Sequence, residues 1–152
     1  MISIRRSTKS DLQSVMNFIS THWAEQHVLS TSRALMNWQY GTEDGYNFVL
    51  AWDKDHLVGI LGYIPTWRYD GEQSASNIIW LALWKVRDEY QSSMLGLKLL
   101  RELENTYPNA AVAVNGVNVK TSQLYRALGY QVENLRHYYL SNSKVSQNLL
   151  SN

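Results

Sequence analysis

A polar turn that leads into an apolar helix stands out in the segment Tyr90–Leu100. The turn contains Ser92 and Ser93, and Gly96 lies near the start of the predicted helix. The first amides of a helix have no partners within it and carry the positive end of its dipole. Small residues there let a phosphate approach those amides closely. The segment therefore indicates either a pyrophosphate-binding loop or an ordinary helix start capped by serine.

A second segment, Asn115–Tyr130, contains the end of a predicted strand, an Asn-rich loop and a short helix that ends at Gly129. Glycine is a common residue at the C-terminal end of a helix. Tyr125 lies within this helix, and its phenol could give a proton to a leaving group. A tyrosine that only packs at the edge of the core would show the same pattern, so both interpretations stay open.

The composition excludes several other kinds of chemistry. Cysteine is absent, which excludes disulfides, thiolate metal ligands and a cysteine nucleophile. The histidines lack metal-ligand spacing, and we expect no metal. The 14 basic and 13 acidic residues favour neither a nucleic-acid nor a membrane partner. The first residues do not resemble a secretory leader, and no apolar stretch is long enough to span a bilayer, so we expect a cytoplasmic protein.

The elements that must position these segments follow from apolar periodicity. The 152 residues suit one domain, which we expect over 1–140, followed by a polar tail over 141–152. Alternation at Ile2 and Ile4 predicts a strand, and Thr8–Asp11 resembles a capping box. The helix that follows carries apolar residues at helical spacing, and a second helix is predicted over Ser32–Tyr40. The apolar positions of the first helix are Leu12, Val15, Met16, Ile19 and Trp23.

The rest of the chain predicts a mixed α/β sheet. Two strands form a hairpin, and the apolar run Asn77–Val86 is typical of a central strand buried on both faces. A helix that ends before Pro108 then leads to a further strand, which indicates a strand–helix–strand crossover. The other predicted elements are strands Asn47–Trp52, Leu57–Ile64, Ala110–Val114, Gln131–Glu133 and Arg136–Leu140, the loop Thr66–Ser76 and the helix Thr121–Leu128.

Together these features make the chain resemble the GNAT superfamily of N-acyltransferases, from about Ile2 to Leu140. The phosphate loop of that family reads Gln/Arg-x-x-Gly-x-Gly/Ala. Gln91 and Gly96 match the two ends of this pattern, whereas Met94 stands where the first glycine is usual. The later helix of the family often carries an Asn, a Leu-Tyr pair and a Gly-Phe pair. The matching residues here are Asn118, Leu124-Tyr125 and Gly129-Tyr130.

More narrowly, the chain is similar to acyltransferases of bacterial surface-polysaccharide gene clusters. The segments that carry this similarity are His27–Ser30, Trp38–Tyr40, Val58–Pro65, Trp80–Val86 and Leu135–Tyr139.

The resemblance implies a GNAT fold, in which helices cover both faces of a mixed, mostly antiparallel sheet. It also implies that acetyl-CoA lies where two parallel strands, here Ile78–Val86 and Ala110–Val114, splay apart. Met94 would be costly at its position if the backbone there needs a positive φ. The residues implied to bind the cofactor are Leu83, Trp84, Lys85, Gln91, Ser92, Ser93, Met94, Leu95, Gly96, Leu97 and Asn118.

In the implied reaction a neutral amine attacks the thioester. Tyr125 matches the general acid that protonates the departing thiolate in the family. The central strand holds no carboxylate that could act as the base. His27 is the strongest candidate, since an unperturbed imidazole titrates at about pH 6.5, although a packing role is the alternative. Glu25 and Asp70 are weaker candidates. Trp67 and Trp84 could stack on a sugar or a base, with packing in the core as the alternative.

These implications lead to an acetyl-CoA-dependent N-acyltransferase that acts on a primary amine of a small molecule. The similarity to polysaccharide enzymes makes a nucleotide-linked amino sugar the leading acceptor. A non-catalytic GNAT-like binding module is the first alternative, because Met94 departs from the loop pattern. A protein or peptide N-acetyltransferase is the second. A homodimer is one assembly that such a chain could form.

Overall fold

The computed structural model describes residues 1–70, 77–136 and 138. The chain divides into two compact units, Met1–Asn115 and Gly116–Asn152, and each unit is described by itself. The division into a domain over 1–140 and a tail over 141–152 stays a prediction, and 141–152 lie outside the described residues. None of the helices that the structure describes has the length and apolar character needed to cross a bilayer.

The chain begins with strand β1 (Ile2–Thr8) and enters helix α1 (Leu12–His22) through a 3₁₀ turn. The predicted capping box forms there, because the Thr8 amide donates a hydrogen bond to Asp11 Oδ2 at 2.7 Å. Arg5 donates to both oxygens of the same carboxylate at 2.7 and 2.8 Å. Of the predicted apolar positions, Leu12, Val15, Met16 and Ile19 are buried, whereas Trp23 lies one residue past the helix and is 45% exposed.

Two short helices follow α1 and pack beside it. Helix α3 (Arg33–Tyr40) confirms the second predicted helix, and the Ser32 hydroxyl caps it by accepting from the Leu35 amide at 3.2 Å. Helix α2 (Val28–Thr31) is a single turn that the sequence did not predict. Its four residues are too few to show a helical period.

The sheet of the first unit has five strands in the order β1-β2-β3-β4-β5. Strands β2 (Gly45–Asp53) and β3 (His56–Pro65) form the predicted hairpin, and β4 (Ile78–Val86) pairs antiparallel with β3. Helix α5 (Leu95–Thr106) then leads to β5 (Ala111–Val114), which pairs parallel with β4. The predicted mixed, mostly antiparallel sheet with a parallel pair is therefore confirmed.

Helices cover both faces of this sheet. On one face, Phe48, Leu50 and Ile60 belong to a core cluster that includes buried residues of α1, α2 and α3. On the other face, a Cβ at Gly59 would lie 3.2 Å from a methyl carbon of Leu99 in α5, and Leu95, Leu99, Leu100 and Leu103 are buried. Alternation along β3 thus directs neighbouring residues into two separate layers.

Two predictions about the middle of the chain are wrong. Strand β4 is not buried on both faces, because Trp80 is 40% exposed and Ala82 is exposed. The core under α1–α3 is centred on β2 and β3, so it leaves part of β4 uncovered. The predicted loop Thr66–Ser76 contains a helical turn, α4 (Trp67–Asp70), and 71–76 lie outside the described residues.

The second unit contains helix α6 (Val119–Ala127), which starts two residues before the predicted position. Gly129 follows it with a φ of +87°, a conformation in which glycine is unstrained. The strand predicted at Gln131–Glu133 is absent, because residues 131–136 have no regular structure. Three residues of alternation are a weak strand signal. Most of the strand predicted at Arg136–Leu140 lies outside the described residues, as does His137.

Candidate active site

The parallel pairing between β4 and β5 ends halfway along β4. Their pairing runs from Ile78 opposite Ala111 to Leu81 opposite Val114 and stops there, while β4 continues to Val86. The register with β3 also shifts at this point, since Leu61 faces Trp84 but Tyr63 faces Leu81. Two steps in β3 thus oppose three in β4, which is the geometry of a β-bulge at Ala82–Leu83.

The outer edge of β4 after the bulge carries three of the predicted cofactor residues. Leu83 is buried, and Trp84 and Lys85 are partly buried. Among the described residues no strand pairs with this edge beyond Leu81. An edge of unpaired backbone amides and carbonyls can bind another extended chain. This stretch can therefore hold an elongated ligand by main-chain hydrogen bonds.

The start of α5 packs directly on Trp84. A Cβ at Gly96 would lie 3.3 Å from Trp84 Nε1 and 3.5 Å from Cε2. The missing side chain lets the first turn of the helix approach the indole. Gly96 thus has a packing role that the sequence did not reveal, and it brings the edge of β4 and the N-terminus of α5 together.

Polar side chains join the end of β4 to the turn before α5. Lys85 Nζ lies 2.9 Å from Asp88 Oδ1, and Gln91 Nε2 donates to the same oxygen at 2.7 Å. The hydrogen bond from Lys85 is the largest cause of a lowered pKa of the Asp88 carboxyl. Asp88 is exposed and Lys85 is only partly buried, so the pair adds little stability. Its effect is to orient the Gln91 carboxamide.

The turn itself, a 3₁₀ helix over Asp88–Ser93, is anchored to the β2–β3 connection. Tyr90 donates its hydroxyl hydrogen to Asp53 Oδ2 at 2.9 Å, which lowers the pKa of that carboxyl. Ser93 Oγ donates to the Tyr90 carbonyl at 2.6 Å. Ser92 is exposed and stands at the outer surface of the turn.

Met94 links this turn to α5 in the left-handed conformation, with φ +56° and ψ 20°. The backbone at Met94 therefore has the positive φ that makes a side chain costly. A left-handed conformation costs a residue with a side chain about 1–2 kcal/mol relative to the right-handed one. The side chain is 64% exposed. A right-handed turn followed by a left-handed residue also forms a concave group of amides that suits an anion.

His27, the predicted base, caps helix α2. Its Nδ1 accepts from the Leu29 amide at 3.2 Å. In a neutral imidazole only one nitrogen has a free lone pair, so this hydrogen bond assigns the proton to Nε2. A catalytic role of His27 stays a prediction, and it requires that the cap be released. Glu25 is exposed in the turn before it.

His22, which the sequence did not indicate as a base, lies near the charged residues at and after the end of β4. His22 ends α1, with its ring centroid 4.8 Å from that of Phe18. Burial is the largest cause of its lowered pKa, followed by the positive charge of Arg87. Both effects favour the neutral form of the imidazole. No spacing signal in the sequence marks this position.

Two predicted residues belong to the second unit. Asn118 caps α6, because its Oδ1 accepts from the Thr121 amide at 2.8 Å. Tyr125 is buried, and burial raises the pKa of its phenol to about 12. Its ring meets that of Tyr130 edge-on at 5.4 Å. Tyr125 therefore stays protonated at neutral pH, as an acid must before it acts.

A cavity of about 580 Å³ lies beside the point where the β4–β5 pairing ends. This volume suits a small ligand. Neither Trp67 nor Trp84 lines it, and Trp67 instead packs against Tyr107 with ring centroids 5.8 Å apart. The lining residues are Ile64, Pro65, Thr66, Tyr69, Trp80, Leu81 and Asn115.

Among the described residues no group of three or more His, Cys, Asp or Glu side chains could hold a metal ion. The expectation of no metal stays a prediction.

The fold is similar to that of several solved acetyltransferases. The aminoglycoside 6'-N-acetyltransferase AAC(6')-Ih of Acinetobacter baumannii gives a TM-score of 0.67 at 16% identity, over 93% of this chain and 99% of that one. An Arabidopsis thaliana protein in complex with the bisubstrate analogue CoA-Ac-MVNAL gives 0.68 at 14% identity, over 93% and 91%. A possible acetyltransferase of Clostridium difficile gives 0.65 at 17% identity, over 93% and 98%.

At these identities the solved structures show the fold alone. No curated protein sequence matches the chain. The sequence profile described as "Acetyltransferase (GNAT) family" matches residues 12–130, which is more than half of the chain. The chain therefore belongs to the GNAT family of acetyltransferases.

Proposed function

We propose that this acetyltransferase moves the acetyl group of acetyl-CoA to a primary amine of a small molecule. One observation carries the proposal: the edge of β4 beyond Leu81 and the N-terminus of α5 meet at the contact between Trp84 and Gly96. An extended pantetheine arm would pair with the backbone of Leu83–Lys85. The pyrophosphate would lie on the amides of the left-handed turn at Met94 and of the first turn of α5.

The order of these elements gives the cofactor a direction. Helix α5 follows the carboxyl end of β4, so a phosphate held there lies past Val86. The arm would then run back from Lys85 toward Leu83, and the acyl end would reach the bulge at Ala82–Leu83. A backbone amide of the bulged strand is the proposed donor to the oxyanion.

In the proposed reaction the amine nitrogen attacks the thioester carbonyl. A C–N bond forms, the C–S bond breaks, and the amine loses one proton while the thiolate gains one. Tyr125 is the proposed acid for the sulfur, which fits its protonated state. His27 is the proposed base, and Asn118 is a proposed cofactor contact. These three assignments are supported by the resemblance of the sequence to GNAT enzymes.

The proposed acceptor is a nucleotide-linked amino sugar. Its support is the similarity to polysaccharide-cluster enzymes at segments such as Trp80–Val86. A peptide N-terminus is the second candidate, because one protein of similar fold was solved with the analogue CoA-Ac-MVNAL. A non-catalytic binding module is the third, and the strain at Met94 is the observation that favours it.

Release of free CoA thiol from acetyl-CoA, measured over a panel of amines, tests the proposal. The panel contains amino-sugar nucleotides, simple amino sugars and short peptides with a free N-terminus. We expect amine-dependent release with at least one amino sugar. Binding of acetyl-CoA without release for any member would contradict the transferase proposal and favour the binding module. Thiol release with peptides alone would identify a peptide N-terminus as the acceptor.

A further inference from the structure

We propose that the cavity beside β4 receives the acceptor, and that Trp80 and Tyr69 select an amine that has one positive charge and one ring. The proposal rests on the transferase function stated above and names the substrate class of that site. It differs from recognition by acidic side chains, which a molecule with several ammonium groups would need.

The cavity lies beside the end of the β4–β5 pairing. Trp80 and Leu81 are the last β4 residues that pair with β5, and Asn115 directly follows β5. All three line the cavity. The bulge at Ala82–Leu83, where the acyl end of the cofactor is proposed to lie, comes next along β4. At about 3.3 Å per residue, the distance from Leu83 back to Trp80 is roughly 10 Å.

Trp80 is partly exposed where it lines the cavity. Trp80 lies opposite Ile64, which packs at the margin of the core under α1–α3. It therefore faces the same side of the sheet as those helices, yet 40% of its surface is exposed. An uncovered indole at the wall of a cavity offers a flat apolar surface for a ring. It also attracts a cation held over its face.

The part of the lining formed by Thr66 and Tyr69 is held in place by hydrogen bonds from side chains to the backbone. Thr66 Oγ1 donates to the Ile78 carbonyl at 3.2 Å and accepts from the Ile78 amide at 3.3 Å. Arg68 donates to the carbonyls of Asn37, Trp38 and Gly41 at the C-terminal end of α3. A guanidinium at that end also complements the helix dipole.

These contacts fix α4, so Tyr69 is presented to the cavity although it is 58% exposed. The ring of Tyr69 also packs against that of Trp38, with ring centroids 6.1 Å apart.

The charge of the cavity lining affects which amines can bind. Among the described residues that line the cavity, none has a carboxylate. Against these residues an acceptor with several ammonium groups would lose water without gaining an ionic partner from them. A single ammonium can instead be balanced by the face of Tyr69 or Trp80, while the ring of the same molecule stacks on the indole of Trp80.

Two monoamines that each contain one ring test the proposal, and they distinguish a sugar ring from an aromatic ring. The probes are glucosamine, which has a sugar ring, and 2-phenylethylamine, which has an aromatic ring. Neamine serves as the polycation. Binding is measured by saturation-transfer NMR on the full chain with CoA present, and turnover by thiol release. Wild type should bind one ring monoamine at least about tenfold more tightly than neamine.

Three variants connect this preference to the cavity. Trp80→Ala should weaken binding of the preferred monoamine about tenfold, whereas Trp80→Phe should keep most of it. Trp23→Ala removes a tryptophan of similar exposure outside the cavity and should change nothing. Tighter binding of neamine, no binding of either monoamine, or unchanged binding by Trp80→Ala would overturn the proposal. If Trp80→Ala does not fold, the wild-type comparison with neamine decides.

The two proposals fail in different ways. Monoamine binding that depends on Trp80, without thiol release, would contradict the transferase function and leave the cavity assignment standing. Thiol release that prefers neamine and is insensitive to Trp80 would leave the transferase function standing and refute the cavity assignment.

Discussion

Gly96 lies against the indole of Trp84 so closely that a Cβ at that position would come within 3.3 Å of Nε1. This contact joins the first turn of α5 to the free edge of β4. A larger residue at Gly96 would have to displace the ring or the helix. The two halves of the proposed cofactor site therefore depend on one small residue, which gives that site a direct test.

Replacing Met94 by glycine should stabilise the protein. Met94 is held at φ +56°, where glycine lacks the steric cost of a side chain. The gain is reduced by the greater freedom of glycine in the unfolded chain, and we expect about 0.5–1 kcal/mol. Urea unfolding measures it. Ser92→Gly is the matched control two residues earlier, in a right-handed turn, and should lose stability. Equal effects of both changes would contradict the strain assigned to Met94.

Stability should fall in acid as Asp11 is protonated. The pKa of this carboxyl is lowered to about 2, first by the hydrogen bond from Arg5, whereas its ordinary value is 3.8. The contribution is therefore fully present above about pH 4 and is lost as the pH falls toward 2.

We expect a loss of about 1–2 kcal/mol over that interval, since the Asp11 side chain is 7% exposed but Arg5 is 44% exposed. Unfolding free energies between pH 2 and 6 measure the loss. Asp11→Asn should flatten this part of the profile. An unchanged slope in that variant would assign the acid sensitivity to other groups.

Variants of His27 separate capping from catalysis. His27→Ala removes the acceptor for the Leu29 amide and should cost about 1 kcal/mol, whereas His27→Asn keeps a good capping oxygen and most of the stability. If His27 is the base, kcat should fall in both variants. Full activity of His27→Asn would show that the imidazole serves only as a cap.

Tyr125→Phe should lower kcat about a hundredfold while leaving the acetyl-CoA affinity unchanged. Because the phenol pKa is about 12, the wild-type profile should show no loss of this acid below about pH 10. Tyr130→Phe, which changes the ring partner of Tyr125, is the control and should keep its activity. Equal kcat values for wild type and Tyr125→Phe would remove Tyr125 from the mechanism.

Period-two and helical spacing predicted the elements that carry the sheet. Strands β1 to β4 and helices α1 and α5 appear where the apolar pattern places them, because most of their apolar residues are buried or partly buried. Helix α2 was missed because a single turn has no period. The strand predicted at Gln131–Glu133 was wrong because three alternating residues do not define a strand.

The candidate site was less predictable than the sheet. The apolar run of β4 does not reveal the bulge at Ala82–Leu83, since a bulge changes pairing and not residue type. It also does not reveal that Trp80 is exposed, because exposure depends on how far α1–α3 extend over the sheet. The positive φ of Met94 could be anticipated only from the glycine of the family pattern.

Calorimetric titration with acetyl-CoA tests the central claim most directly. Wild type is compared with Gly96→Trp, which would separate Trp84 from α5, and with Arg101→Trp on the exposed side of the same helix. We predict micromolar binding by wild type and Arg101→Trp, and loss of binding by a Gly96→Trp variant that still unfolds cooperatively. No binding by wild type, or equal binding by all three proteins, would contradict the proposed cofactor site.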